Sequence, residues 1–422
     1  MRLWPFGKRS EVEQRYISPS LSVMANVPLG SLSGTGVNVN SDTALRFMAV
    51  YACVRVICED VASLPLHLYR RLSRGKERAT THPLYEVLHT RANPEQTSFQ
   101  WRETMQAHVL LYGNAYSLPT MFNGRIVELW PVMPQRVTVR RNQRTQNLEY
   151  IITPPGSDEK RVINAGQIFH LPGLSLNGVT GVSPIAYGRD AIGLGLASQE
   201  FASGFFARGA RPSAVLEHTG RLSPEAHNRL RGDFENLHAG VTNSQRVALL
   251  EEGMKLNAQF QMPLEDAQFI ENRKMSIEEI ARLYRVQPHK IGHHEHSTFS
   301  NIEHLGIDHV VSTIRPWLVR WEQAIGTKII PEEEQGNFFA EFLVDGLLRG
   351  DSDARSKFYK AMWEMGVLSA NDIRELDNLN PREGGDIYYV PLNFVDASEP
   401  RPEPVAPAQP PSNGRKPAPV GA

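Results

Sequence analysis

The sequence predicts an α+β fold, and three observations predict it. Short runs rich in β-branched and aromatic residues gather between residues 66 and 153. Segments with apolar residues at helical spacing precede, interrupt and follow these runs, over Thr43–Ser63, Thr97–Leu111 and from residue 184 on. Asn123-Gly124 sits between two of the strand-like runs, the strongest short-range signal for a tight antiparallel hairpin.

The 422 residues allow two to three domains at roughly 150 residues each. Residues 1–41, apolar and basic at first and then rich in Gly, Ser, Asn and Val, are expected to form a flexible arm. Ser41-Asp42 is expected to cap a helix from Thr43 to Ser63, with Leu45, Met48, Ala49, Ala52, Val56 and Ile57 on its apolar side and Pro65 as its stop. Strands are expected at Leu66–Arg70, Ala115–Met121, Val127–Pro131, Arg136–Arg140 and Glu149–Thr153, interrupted by a helix at Thr97–Leu111.

Residues Pro184–Gly209 read as a helix crowded with small residues, among them Gly188, Gly193, Gly195 and Ala202, with Ser183 as N-cap. Each glycine costs about 1 kcal/mol relative to alanine, so the segment either approaches a neighbour closely or is a kinked core helix. Leu194, Phe201 and Phe205 line one stripe of it. A small α/β insert follows, with strands at Ala214–Glu217 and Val247–Leu250 and a helix opened by Ser223-Pro224-Glu225. Ile277, Ile280, Ala281 and Tyr284 mark an amphipathic helix over Ala267–Arg285. After a polar loop at Gly292–Asn301, residues Ile307, Val310, Val311, Ile314, Leu318, Trp321 and Ile325 mark another helix, which Pro316 should kink or break. Helical segments over Ser352–Glu375 end the fold, and the prolines after Val395 predict a disordered or polyproline tail.

Several functions are excluded or left bare. No apolar run approaches the ~20 residues of a membrane span, and Met1 to Ser10 lacks the apolar stretch of a secretory signal. Cys53 and Cys58, five apart on a helix, point apart and read as core thiols. A net charge of −1 disfavours a protein that grips phosphates tightly; it does not disfavour a conduit that must let DNA slide. No Walker A loop is present. The Gly193–Ser198 run approximates a dinucleotide fingerprint, yet its surroundings are helical and no strand precedes it. Gly181–Ile185 lacks the last glycine of a nucleophile elbow, and Ser157–Lys160 matches SxxK only in a polar turn. Six of the 14 histidines, His289, His293, His294, His296, His304 and His309, crowd into 289–309. They are open to three readings: a polar loop, a loop facing a ligand or polymer, and a metal-dependent hydrolase. Their spacing is not that of an HExxH helix.

In order along 45–393, the chain carries Val50–Ile57, Ser63–Leu66, His82–Leu84, Gly113–Tyr116, Gly181–Ile185 and Phe205–Ala210. Leu250–Gly253, Val286–Pro288, Ser297–Asn301, Arg349–Asp351 and Asn371–Arg374 continue the series. In these segments and their order it resembles the portal protein family of long-tailed bacteriophages. It departs from the family pattern at Gln287, where proline is usual, and in the His293–His296 cluster, which sits in a variable stretch.

The resemblance implies a portal fold assembled as a ring. Residues 42–183 would be the wing, 184–209 and 263–285 the two stem helices, and 210–262 the clip. Residues 286–301 would be the tunnel loop, and 302–349 the kinked long helix and wing return. The crown would span 350–395, ahead of the tail at 396–422. It implies that His293, His294, Glu295, His296, Ser297 and Thr298 face the DNA channel, and that Gly188, Gly195 and Ala202 pack stem helices around the ring. The implied role is structural, with no catalytic residues, cofactor, metal or membrane. The expected partners are other copies in a dodecamer, the terminase large subunit, major capsid and scaffold proteins, a head-completion adaptor, and double-stranded DNA held without sequence preference. The expected location is the portal vertex of the virion, after assembly in the host cytoplasm. The competing functions are the metal-dependent hydrolase and a sequence-neutral DNA-binding protein; particle mass separates the first from a large ring, and salt-dependent DNA binding by the monomer tests the second.

Overall fold

The computed structural model describes residues 31–207, 215–217, 223–229, 255–257, 266–292, 305–344, 352–377 and 379–389, with Gly220 and Gly232. A short hairpin pairs Ser31–Leu32 with Asn38–Val39. Asn40, not Ser41 or Asp42, then caps the first helical turn: its side chain accepts from the amides of Asp42 and Thr43. That turn ends at Ala44, and helix α1 (Met48–Ser63) starts afresh after Phe47, so the single helix expected from Thr43 is two pieces. Helix α1 buries Val50, Cys53, Val54, Ile57, Cys58 and Val61 and ends one residue before Leu64, which leads into Pro65. Both cysteines are buried free thiols, and burial pushes Cys53 up to about 12.

Strands β1 (Leu66–Arg71) and β2 (Lys76–Arg78) and helix α2 (Pro83–His89) come next. Helix α3 (Ser98–Tyr112) opens with a reciprocal cap between Thr97 and Gln100 and closes at Gly113, whose φ of 78° is left-handed. Strands β3 (Asn114–Phe122) and β4 (Arg125–Val132) turn at Asn123-Gly124, where both φ values are positive, as the hairpin signal requires. Strands β5 (Val137–Arg141), β6 (Leu148–Ile152) and β7 (Arg161–Asn164) form an antiparallel sheet in the order β7-β6-β5. Strand β8 (Phe169–Pro172) pairs with β3, giving β8-β3-β4.

Ser183 caps the single turn Pro184–Tyr187, and helix α4 (Arg189–Ala207) follows, so the expected helix is interrupted at Gly188. Strand β9 (Val215–Glu217) pairs with β10 (Lys255–Asn257). The strand expected at Val247–Leu250 lies outside the described residues, as do Phe205's side chain and most of the insert. Ser223 does cap its helix, accepting from the Ala226 amide. Helix α5 (Asp266–Tyr284) buries Ile280, Ala281 and Tyr284. Pro316 falls in the first turn of helix α6 (Arg315–Lys328), which a π-helix, His309–Ile314, precedes. This is the break that proline imposes, taken up by a wider turn. The wider turn rotates what precedes it, so Ile307 and Val311 are exposed while Val310, Ile314, Leu318, Trp321 and Ile325 are buried.

Strand β11 (Phe338–Phe342) closes the fold by pairing with β1, giving β11-β1-β2. The core collects α1, α3, α6 and the inner faces of these sheets. At its centre the rings of Trp101, Phe169 and Trp321 meet at 5.3–5.9 Å. Their indole N–H groups are satisfied within it, Trp101 donating to Ser117 and Trp321 to Gln106.

The chain divides into two units, Met1–Leu348 and Arg349–Ala422. The second holds helix α7 (Ser352–Glu364) and helix α8 (Ala370–Leu376), the latter opened by a Ser369–Asp372 capping box.

Candidate functional site

Helices α4 and α5, the pair expected to form a stem, pack on one another in the first unit. A methyl group at Gly188 would lie 2.5 Å from Leu283 Cδ2 of α5. One at Gly195 would lie 2.6 Å from the Phe47 ring, and one at Gly193 would overlap the Ser33 side chain. The close approach that these glycines permit is therefore made inside the chain, to α5, Phe47 and the first hairpin. Ala202 is half-buried. A different set faces outward: Tyr187, Leu194 and Phe201, seven residues apart in sequence, are each about half exposed.

The start of the α4 segment is fixed to the sheet by a junction whose residues the sequence offers only as two separate motifs. Asn114 Oδ1 accepts from the Gly181 amide at 2.7 Å, and Asn114 Nδ2 donates to the Gly181 carbonyl at 2.8 Å. Ser183 Oγ donates to the Leu111 carbonyl at 2.7 Å. A side chain on Gly113 would fall on the Val182 carbonyl, and one on Gly181 on the Gly113 carbonyl. Behind Asn114, His170 bridges it to the Tyr150 hydroxyl, and burial holds that imidazole down to about 3, neutral throughout the physiological range.

Helix α5 ends with Arg285 in the left-handed region, φ 58°, and the Val286 amide returns to the Ala281 carbonyl. Thr313 Oγ1 of the π-helix donates to the Arg285 carbonyl, and Gln287 Nε2 donates to Asp308 Oδ2. These two contacts tie together the chain on either side of the histidine-rich segment. Gln287 is the residue at which the sequence departs from the resembled pattern, and its amide makes one of the ties. Proline has no donor to offer there. Gly292, φ 83°, ends the turn Pro288–Ile291. His309 is anchored to α1, its Nε2 2.9 Å from Asp60 Oδ2, and is almost wholly buried.

His293, His294, Glu295, His296, Ser297 and Thr298 lie outside the described residues, as does His304. Among the described residues no group of three or more His, Cys, Asp or Glu is placed to hold a metal ion. His309 Nε2 lies 2.9 Å from Asp60 Oδ2, and nothing among the described residues supports the hydrolase reading. The Gly193–Ser198 run lies inside α4, where no strand leads into it.

Residues 48–378 match the family model described as phage portal protein. The chain is 32% identical to the portal protein of Enterobacteria phage HK97 over 86% of this chain and 87% of that one. It is also 32% identical to the probable portal protein of Streptomyces phage phiC31, over 89% and 84% respectively. Among solved structures, it is similar to a chain in the neck of an empty gene transfer agent particle computed with C6 symmetry. There the TM-score is 0.58 and the identity 23%, covering 81% of this chain and 94% of that chain. An HK97-family phage portal protein from Corynebacterium diphtheriae shares the fold with a TM-score of 0.54 at 15% identity, covering 73% and 96%.

Proposed function

Because the chain belongs to the phage portal protein family, we propose that it is the repeating subunit of a ring at one vertex of a phage or gene transfer agent head, through whose central hole DNA passes. The protein is structural, not enzymatic. The observation that carries this reading is the match running from residue 48 to 378. It takes in the sheets after the first hairpin, the α4–α5 pair with the insert between them, and the π-interrupted helix. Electron microscopy of the purified protein tests it. Rings with a central hole are expected; sedimentation showing only monomers and dimers over a wide concentration range would overturn the reading.

In this reading, residues 42–183 are the wing, α4 and α5 the stem, 210–262 the clip, 286–301 the tunnel loop and 350–395 the crown. The ring is a dodecamer assembled with major capsid and scaffold proteins in the host cytoplasm. It docks the terminase large subunit during packaging and a head-completion adaptor afterwards. The missing Walker A loop fits a division of labour in which the terminase supplies ATP hydrolysis. A net charge of −1 fits a channel that must release each phosphate it meets.

A further inference from the structure

In the second unit, helices α7 and α8 and the turn after them form an open groove of about 400 Å³. Tyr359, Trp363 and Ile373 give it an apolar floor, and its ionisable rim residues other than Tyr359 are all cations: Lys360, Arg374 and Arg382. The rim is built rather than incidental. Asn371, buried, donates to the Arg382 carbonyl at 2.9 Å and to Asp386 Oδ1 at 2.8 Å, and accepts from the Arg382 amide at 2.8 Å. A side chain at Gly385 would overlap Asn371, so the turn is pressed onto α8 and Arg382 is fixed at the groove. Trp363 nevertheless keeps 39% of its surface exposed.

We propose that this groove is the docking site of the chain's own proline-rich tail, residues 399–411. The described chain ends against the groove: the ring of Tyr389 lies 5.6 Å from that of Trp363. Further along the sequence, Pro404, Pro407 and Pro410 recur every third residue. A polyproline II helix has three residues per turn, so these prolines share one face, the geometry that aromatic grooves accept. Glu399 and Glu403 flank Arg401, so the segment carries one net negative charge, the sign that Arg374 and Arg382 attract, while Lys360 lies 3.9 Å from Glu364. The 15 residues from Tyr389 to Pro404 are a short tether, reaching at most about 50 Å when fully extended. Such a tether therefore holds the ligand at a local concentration on the order of millimolar. Even a weak site is then occupied for much of the time, and the docked tail shields Trp363.

The test uses the full-length assembled protein with Ala408→Cys carrying a fluorophore that tryptophan quenches on contact. Cys53 and Cys58 are buried, so the label goes to the new thiol. Replacing Pro404, Pro407 and Pro410 together by serine leaves the groove untouched and is expected to raise emission by roughly twofold or more, given at least half occupancy at millimolar local concentration. Trp363→Leu is expected to give the same rise. Equal emission from all three proteins would overturn the proposal. Labelled Trp363→Leu subunits diluted into unlabelled parent oligomers should stay bright. Quenching that returns on mixing would place the tail in a neighbour's groove and overturn same-chain docking.

Discussion

Asn114 satisfies four polar partners around the Gly113–Gly181 contact, and the contact itself leaves no room for a Cβ. Gly113→Ala combines a left-handed backbone with a collision against the Val182 carbonyl. Gly124→Ala meets the same backbone strain at φ 76° with nothing nearby. Left-handed strain costs about 1–2 kcal/mol and overpacking about 1–3. Gly113→Ala is therefore expected to lower stability by about 2–5 kcal/mol and Gly124→Ala by about 1–2, read as a difference in urea midpoints. Equal midpoints would mean that the junction yields. His108 supplies a second residue-scale test. Burial lowers it to about 4, so between the ordinary value of about 6.5 and 4 the unfolded chain binds a proton that the folded chain refuses. Stability should therefore fall as pH drops through that window. His108→Gln, which cannot titrate, is expected to lose stability less steeply, by up to about 1.4 kcal/mol per pH unit. Parallel pH profiles for variant and parent would contradict the assignment.

Among the elements, those set by neighbours in sequence were legible, and those set by distant partners were not. The Asn123-Gly124 hairpin, the α3 boundaries, the α5 apolar face and the Pro316 break follow from local turn chemistry and spacing. The pairing of Phe338–Phe342 with Leu66–Arg71 does not, because a short strand carries no address for a partner so far away in the chain. The glycines of α4 announced a close approach, but the identity of what approaches, Phe47 and Leu283, is a tertiary fact. This changes which substitution probes a ring contact. Gly195→Leu is expected to damage the subunit itself through Phe47. Tyr187 and Leu194 face outward, so Tyr187→Gln with Leu194→Gln should cost the isolated subunit little, within about 0.5 kcal/mol per site. If neighbouring subunits cover that face, each leucine-sized group removed from burial weakens every interface by about 1.5–3 kcal/mol. Ring yield by electron microscopy should then collapse while the far-ultraviolet circular dichroism is unchanged. Rings formed at parental yield would show that this face is not an interface.

Across the whole molecule, the near-zero charge and the histidine cluster bear on one requirement of the proposed role, which is that a channel pass DNA without holding it. Six of 14 histidines fall in 289–309, and one of the described members, His309, is buried with its Nε2 within hydrogen-bond distance of Asp60 Oδ2. The sequence could show the cluster but not that division, which depends on α1 running beside the π-helix. The ties from Gln287 to Asp308 and from Thr313 to Arg285 fix the two sides of the segment that carries His293, His294 and His296. Closed symmetry would multiply these imidazoles around the axis. An unperturbed imidazole changes charge near ~6.5, so a ring of them around the proposed channel would gain positive charge as phosphates approach or as pH falls, and would give it up again afterwards. Permanent cations would make strongly salt-dependent contacts that resist sliding. Replacing His293, His294 and His296 together by glutamine keeps polarity and hydrogen bonding while removing titration. The variant is expected to form rings at parental yield but to differ in packaged DNA or in genome retention, with the difference growing from about pH 8 to about pH 6 as the imidazoles charge. Packaging and retention matching the parent at every pH in that range would reduce these residues to hydrophilic spacers and leave the channel's permissiveness to its low net charge alone.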